Sequence, residues 1–111
     1  MRGPSSFRNN QEQPFVAKRI QGKVVEVSPE GDLITDLDAL QLEGVSRGSE
    51  TKVLVDEEHE TFGIFAPDHE QPALTLVAIL DNEGPLRLHL VSDSASMMLG
   101  VRVGAPVEIN W

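Results

Sequence analysis

The sequence predicts an all-β fold, a small barrel-like domain of six to seven short strands with one short helix. Three observations carry that reading. Short runs of β-forming residues recur between clusters of turn formers. The stretch PLRLHLV, residues 85–91, alternates strictly between apolar and polar, as a half-buried strand must. Only SDSASMMLG, residues 92–100, combines helical spacing with a capping residue at each end.

Residues 1–13, MRGPSSFRNNQEQ, have almost no apolar surface to offset the entropy of ordering, so they are expected to form a flexible tail on a single domain spanning 14–111. From Phe15 the pattern changes to β-formers, and GKVVEV (22–27) reads as a half-buried strand. SPEGD (28–32) ends it. Pro29 presets φ for a turn, and Gly31 permits the left-handed conformation that reverses the chain. LIT (33–35) is a second short strand. In DLDALQLEGV (36–45), Leu37, Leu40 and Leu42 fit either a helical turn or an extended segment, and Gly44 ends it.

ETKVLVD (50–56) and TFGIFA (61–66) read as a strand and its return around the charged tip EEHE (57–60), followed by the polar loop PDHEQP (67–72). ALTLVAIL (73–80) is the most apolar run and is expected at the centre of the sheet. DNEG turns it into PLRLHLV, which puts Leu86, Leu88 and Leu90 on one face and Arg87 and His89 on the other, solvated face. In the helix, Ser92 or Asp93 can cap the start, Ala95, Met98 and Leu99 share a face, and Gly100 stands where a terminating glycine belongs. APVEINW (105–111) closes the chain as a last strand.

At 111 residues the chain can bury one core without staples. It has no cysteine, which excludes disulfides, thiol nucleophiles and thiolate metal sites. No apolar run approaches the roughly 18 to 20 residues of a membrane span, and the first residues lack the apolar core of a secretory signal, so a cytoplasmic protein is expected. Of the 9 Lys and Arg, Arg2, Arg8, Lys18, Arg19 and Lys23 fall early beside the single acid Glu12; from Val24 onward 4 bases face 17 acids. That field repels phosphate backbones, so no nucleic-acid partner is expected for the body. The basic leader could still touch an anionic partner.

No G-x-S-x-G elbow is present, and His59, His69 and His89 have no spacing that pairs them with a nucleophile. The loops Asp56–Glu60 and Asp68–Glu70 supply imidazole and carboxylate groups of the kind zinc or a harder cation takes, but no helical H-x-x-x-H or calcium-loop register accompanies them, so they read as solvated loop tips whose charge opposes edge association. Met97 and Met98 read as core filling.

The stretch GKVVEVSPEGDLITDL, followed by GPLRLHLVSDSASMMLGVRVGAPVEI, resembles the C-terminal β-domain of the S-adenosylmethionine hydroxide adenosyltransferases and their relatives, the fluorinases and chlorinases. The family reads G-x-V-x-x-V-D-x-F-G-N-L-I-T-N in the first stretch and ends the second with L-G-x-x-x-G-D-x-V. The likeness spans Gly22 to Ile109. It implies a β-domain that contributes to a pocket for the adenine and methionine ends of the substrate, at a contact between subunits of a trimer. The family's larger N-terminal α/β domain, which carries the water-activating residues, has no counterpart in this sequence.

Position by position, the resemblance assigns Ser28 to the family's aspartate, Glu30 to its aromatic, Asp32 to its first asparagine and Asp36 to its second. Val91, Ser92, Asp93 and Ser94 fall where small and amide residues meet adenine, and Ala95 is retained. The implied ligand positions are therefore Glu30, Gly31, Asp32, Asp36, Ser92, Asp93, Ser94 and Ala95. An ionised Asp accepts hydrogen bonds but cannot donate as Asn does, and Glu30 cannot stack on a base. Asp32 and Asp36 accordingly read as a former ligand edge now used mainly as turn and cap residues.

The expectation is a non-catalytic binding or assembly module with no cofactor, whose ligand is a nucleoside-like molecule such as S-adenosylmethionine or adenosine, or a protein partner. The alternatives are half of a split adenosyltransferase completed in trans by a separate N-terminal domain, and a structural homo-oligomer.

Overall fold

A computed structural model describes residues 18–82 and 84–111. The anticipated tail, 1–13, and the first β-formers at Phe15 and Val16 lie outside the described residues, as does Glu83 of the DNEG turn. The elements run β1 (Arg19–Val27), β2 (Leu33–Asp38), β3 (Lys52–Val55), β4 (His59–Phe62), β5 (Ile64–Phe65), β6 (Leu76–Ile79), β7 (Pro85–Leu90), α1 (Ala95–Leu99) and β8 (Pro106–Asn110). The strands form one nearly closed, barrel-like sheet in the order β4-β3-β8-β1-β2-β7-β6-β5. The all-β barrel-like class is as the sequence indicates, with eight strands in place of six to seven.

The additional strand comes from Gly63. TFGIFA does not run as one return strand; it breaks at Gly63 (φ +86°) into β4, which pairs with β3, and β5, which pairs with β6. These two strands stand at opposite ends of the sheet order yet are separated by a single residue, so the chain itself turns the corner that closes the barrel. Gly63 N–H donates to the Thr51 carbonyl (2.8 Å), Ile64 N–H to that of Arg47 (3.1 Å), and the Thr61 hydroxyl to that of Leu76 (2.6 Å).

Strand alternation builds the interior. Leu33 and Leu37 of β2, Val53 and Val55 of β3, Leu86 and Leu88 of β7, and Val107 and Ile109 of β8 are all buried. Thr35 is buried among them, and its hydroxyl is satisfied by donating to the Leu86 carbonyl at 2.7 Å. β1 pairs with both β2 and β8 and carries a bulge between Val24 and Glu26, which lets one long strand serve both halves of the sheet.

Several expectations are corrected. ALTLVAIL contributes only β6, next to the β5 end of the order, while β8, β1 and β2 hold the centre. Its continuous apolar character reflects burial of Val77 through Leu80, not a central position. The ambiguous stretch after β2 is a run of turns in which Leu42 is buried and Leu40 exposed. The charged tip lies at Asp56–Glu58, with His59 already paired to Val55. Asp56 (φ 57°) and Glu57 (φ 59°) both take left-handed conformations at the centre of a turn that Glu58 N–H closes on the Val55 carbonyl (3.1 Å), within a three-residue loop. Met97 and Met98 do not fill the core, because α1 has five residues and buries only Ala95; the two methionines are 84% and 59% exposed.

Gly63 is thus the backbone position on which the corner of the barrel turns. A Cβ there would stand 3.4 Å from the Phe65 ring, an ordinary contact, so the penalty for Gly63→Ala is conformational. We expect a loss of about 1 to 2 kcal/mol from forcing an L side chain to positive φ, read as a lower midpoint in urea unfolding with an unchanged slope.

Candidate functional site

Two segments distant in sequence meet at the start of α1. In the first, 28–32, the Gly31 N–H donates to the Ser28 carbonyl (2.9 Å), the Ser28 N–H to the Asp32 carbonyl (3.0 Å), and the Asp32 N–H to the Ser28 hydroxyl (3.0 Å). This closed turn needs the φ of +95° that Gly31 adopts. In the second, 91–97, the Ser94 hydroxyl accepts from Met97 N–H (3.1 Å), so Ser94 caps α1 in place of the anticipated Ser92 or Asp93. Ser92 instead occupies a left-handed turn position (φ 68°), and an Asp93 carboxylate oxygen accepts from the Ser94 N–H at 2.8 Å.

The segments interlock. The Gly31 carbonyl accepts from Ser96 N–H (2.9 Å), and a Cβ on residue 31 would fall 1.9 Å from the Ser94 hydroxyl oxygen and 2.8 Å from its Cα. Gly31, Ser94 and Ala95 are therefore brought together, with Ala95 fully buried beneath. Asp36 is not part of this junction. It is exposed, one of its carboxylate oxygens accepts from Lys23 N–H (2.9 Å), and it borders a separate open depression with Asp38, Leu40 and Asn82.

Asp32 departs from the turn-and-cap role the sequence suggests. It is 6% exposed, and the turn is closed by Ser28, not by its carboxylate. Leu33 pairs with Leu88 across β2 and β7, so Asp32 stands opposite His89 and diagonal to Arg87 on the same sheet face. Asp32 Oδ1 lies 2.7 Å from His89 Nδ1, and Oδ2 lies 3.9 Å from Arg87 Nε. A buried carboxylate thus orients two side chains of β7 that alternation alone assigns to solvent. His69 stands beside them, its ring 6.3 Å from that of His89 and 6.2 Å from Phe65. Sequence reasoning missed this cluster. The signal was present as three ionisable residues on two strands destined to pair, but the register was not.

Glu30 lies at the rim of the cluster. The Ser28 hydroxyl, then its own backbone N–H, hold its carboxyl below the usual value against the opposing effect of desolvation, with smaller help from the charge of Arg87 and, when protonated, His89. His59 goes elsewhere: its Nε2 sits 3.1 Å from the Leu99 carbonyl at the end of α1 and 3.5 Å from a Glu58 carboxylate oxygen. The two His-bearing loops therefore do not converge on a metal, and among the described residues no group of three or more His, Asp or Glu is placed to hold one. No helix among the described residues is long and apolar enough to cross a membrane.

No protein-family model matches this chain, and no curated protein matches it. Among solved structures it is similar to an uncharacterized conserved protein from Thermotoga maritima, with a TM-score of 0.68 and 22% sequence identity over 91% of this chain. The chain spans 40% of that protein's length. The likeness is one of fold.

Gly31→Ala should be the most damaging small substitution at the junction. Positive φ and the overlap with Ser94 act together, for an expected loss of about 3 kcal/mol in unfolding free energy, whereas Ser94→Ala, which removes only the cap, should lose about 1 kcal/mol. For Glu30 the folded-state value lies below the ordinary 4.5, so its contribution is present above that pH and is lost as pH falls through the folded value. A carbon-detected NMR titration should give a Glu30 midpoint below 4.5, and Ser28→Ala should move it upward; an unchanged midpoint in that variant would contradict the assignment of Ser28 as the main cause.

Proposed function

We propose that the chain is a non-catalytic binding module for a nucleoside-like small molecule, related in fold and in its two ligand stretches to the adenine-side C-terminal domain of the S-adenosylmethionine hydroxide adenosyltransferases. The observation that supports it is the Gly31–Ser94 junction. Segments 28–32 and 91–95, which the resemblance assigns to ligand contact, meet through a contact that admits no Cβ at residue 31, and the next residue, Ser96, ties them by its N–H bond to the Gly31 carbonyl.

The chemistry around that junction sets what such a site could hold. The start of α1 spends its donors internally, with Met97 N–H on the Ser94 hydroxyl and Ser96 N–H on the Gly31 carbonyl. Asp32 spends its carboxylate on His89 and Arg87. A ligand here meets side-chain edges more than free backbone donors, which argues for weak, selective binding over the tight grip that a reaction centre needs.

A second reading, half of a split adenosyltransferase completed in trans, draws on the length comparison, since the Thermotoga maritima neighbour extends well beyond the matched region. A partner that lends catalytic residues would co-purify with this chain and confer turnover.

An amide NMR titration with S-adenosylmethionine and with adenosine tests the first reading. Shifts at residues 31–35 and 92–95 are expected for both ligands. Absence of shifts at millimolar ligand would overturn the binding reading, and consumption of S-adenosylmethionine by the pure chain would overturn its non-catalytic part.

A further inference from the structure

The imidazoles of His69 and His89 are the ligand-capable groups that the reading above leaves unused. An ionised carboxylate only accepts hydrogen bonds, so the 2.7 Å contact with Asp32 places the proton of His89 on Nδ1 and leaves a lone pair on Nε2 of the neutral ring. His69 is held in the opposite sense. Its Nδ1 accepts from the Gln71 N–H at 3.1 Å, so the neutral ring carries its proton on Nε2. Neither Nε2 atom has a hydrogen-bond partner among the described residues, and both side chains reach solvent. The two neighbouring rings therefore offer one acceptor and one donor, each fixed by a protein group and not by chance.

Spacing narrows what fits. Ring centres 6.3 Å apart bound the two Nε2 atoms to separations of about 4 to 8.6 Å, too far for a direct bond, and the shorter end of that range is spanned by one intervening oxygen at about 2.8 Å from each. A carboxylate or phosphate oxygen would confront the lone pair of His89, and an ammonium would confront the N–H of His69. A hydroxyl both accepts and donates at one atom.

We infer that His69 and His89, the latter oriented by Asp32, form a subsite for a hydroxyl group of an uncharged ligand. The hydroxyl oxygen accepts from Nε2–H of His69 and its proton is donated to Nε2 of His89. The inference goes beyond the nucleoside reading, because it specifies a sugar-type hydroxyl and makes no use of a base.

The test is a long-range proton–nitrogen NMR spectrum of the histidine rings in the whole labelled protein, recorded free and with millimolar adenosine, adenine and ribose. In the free protein, His89 should carry its proton on Nδ1 and His69 on Nε2. Adenosine and ribose should shift both Nε2 resonances and adenine, which has no hydroxyl, should not. His69→Phe should weaken the response of His89 to ribose roughly tenfold while leaving the Asp32-bound Nδ1–H signal in place as evidence of an intact fold.

The opposite tautomer at either ring, equal response to adenosine and adenine, or no ring response to any probe would overturn the inference. Adenosine shifting the amides of 31–35 and 92–95 without moving the rings would overturn it while sparing the nucleoside reading. Ring shifts with ribose, and no amide shifts with adenosine at that junction, would do the reverse.

Discussion

Closure of the barrel depends on one backbone conformation. β4 and β5 are the two ends of an eight-strand order, and Gly63 at φ +86° is all that stands between them. An open sheet of this order would leave unpaired edges at both ends, each a template for association. Turning one segment from β3 to β6 removes most of that hazard, and it sets the curvature that puts Val53, Leu88 and Ile109 into one interior. The charged hairpin tip at Asp56–Glu58 and the exposed Lys52–Glu60 pair lie on the β3–β4 side of the same corner, where charge further opposes edge pairing.

Within that frame the register of β2 on β7 is what creates the cluster around Asp32. A one-residue slip would exchange the faces of every side chain, taking Leu33 and Leu37 out of the core and Asp32 away from His89. The register is held by the core on one face and by the Asp32–His89 contact on the other. Burying a carboxylate is costly unless it is paired, so a slipped pairing would lose apolar burial and strand a charge together. The polar contact thus acts as a specificity device for the same pairing that the leucines stabilise.

Much of this was legible in the sequence. Alternation in PLRLHLV named Leu86, Leu88 and Leu90 as core, and Gly31 and Gly100 were assigned left-handed turns that they adopt. What alternation cannot supply is pairing. Arg87 and His89 were placed on the correct face, but that face is only open to solvent if nothing on β2 meets it, and Asp32 does. Met97 and Met98 failed for a different reason: helical spacing assumes enough turns to bury a stripe, and α1 is too short to bury more than Ala95. Gly63 was read as part of a strand because a glycine inside a β-rich run signals a bend without saying which strands lie on either side.

The same physical logic separates scaffold from site. Gly31 is fixed twice, by its φ and by the absence of room for a Cβ against Ser94, so its presence is explained without any ligand. Ser94 is likewise accounted for by the cap it provides. His69 and His89 are not explained in this way. Each spends one ring nitrogen on the fold, His89 on the buried Asp32 carboxylate and His69 on the Gln71 N–H, and the other ring nitrogen has no hydrogen-bond partner among the described residues. Fold requirements therefore account for the backbone of the Gly31–Ser94 junction and leave the second ring nitrogens of the imidazoles unspent, so the helix start and the ring edges beside it differ in how much of their chemistry the fold already uses.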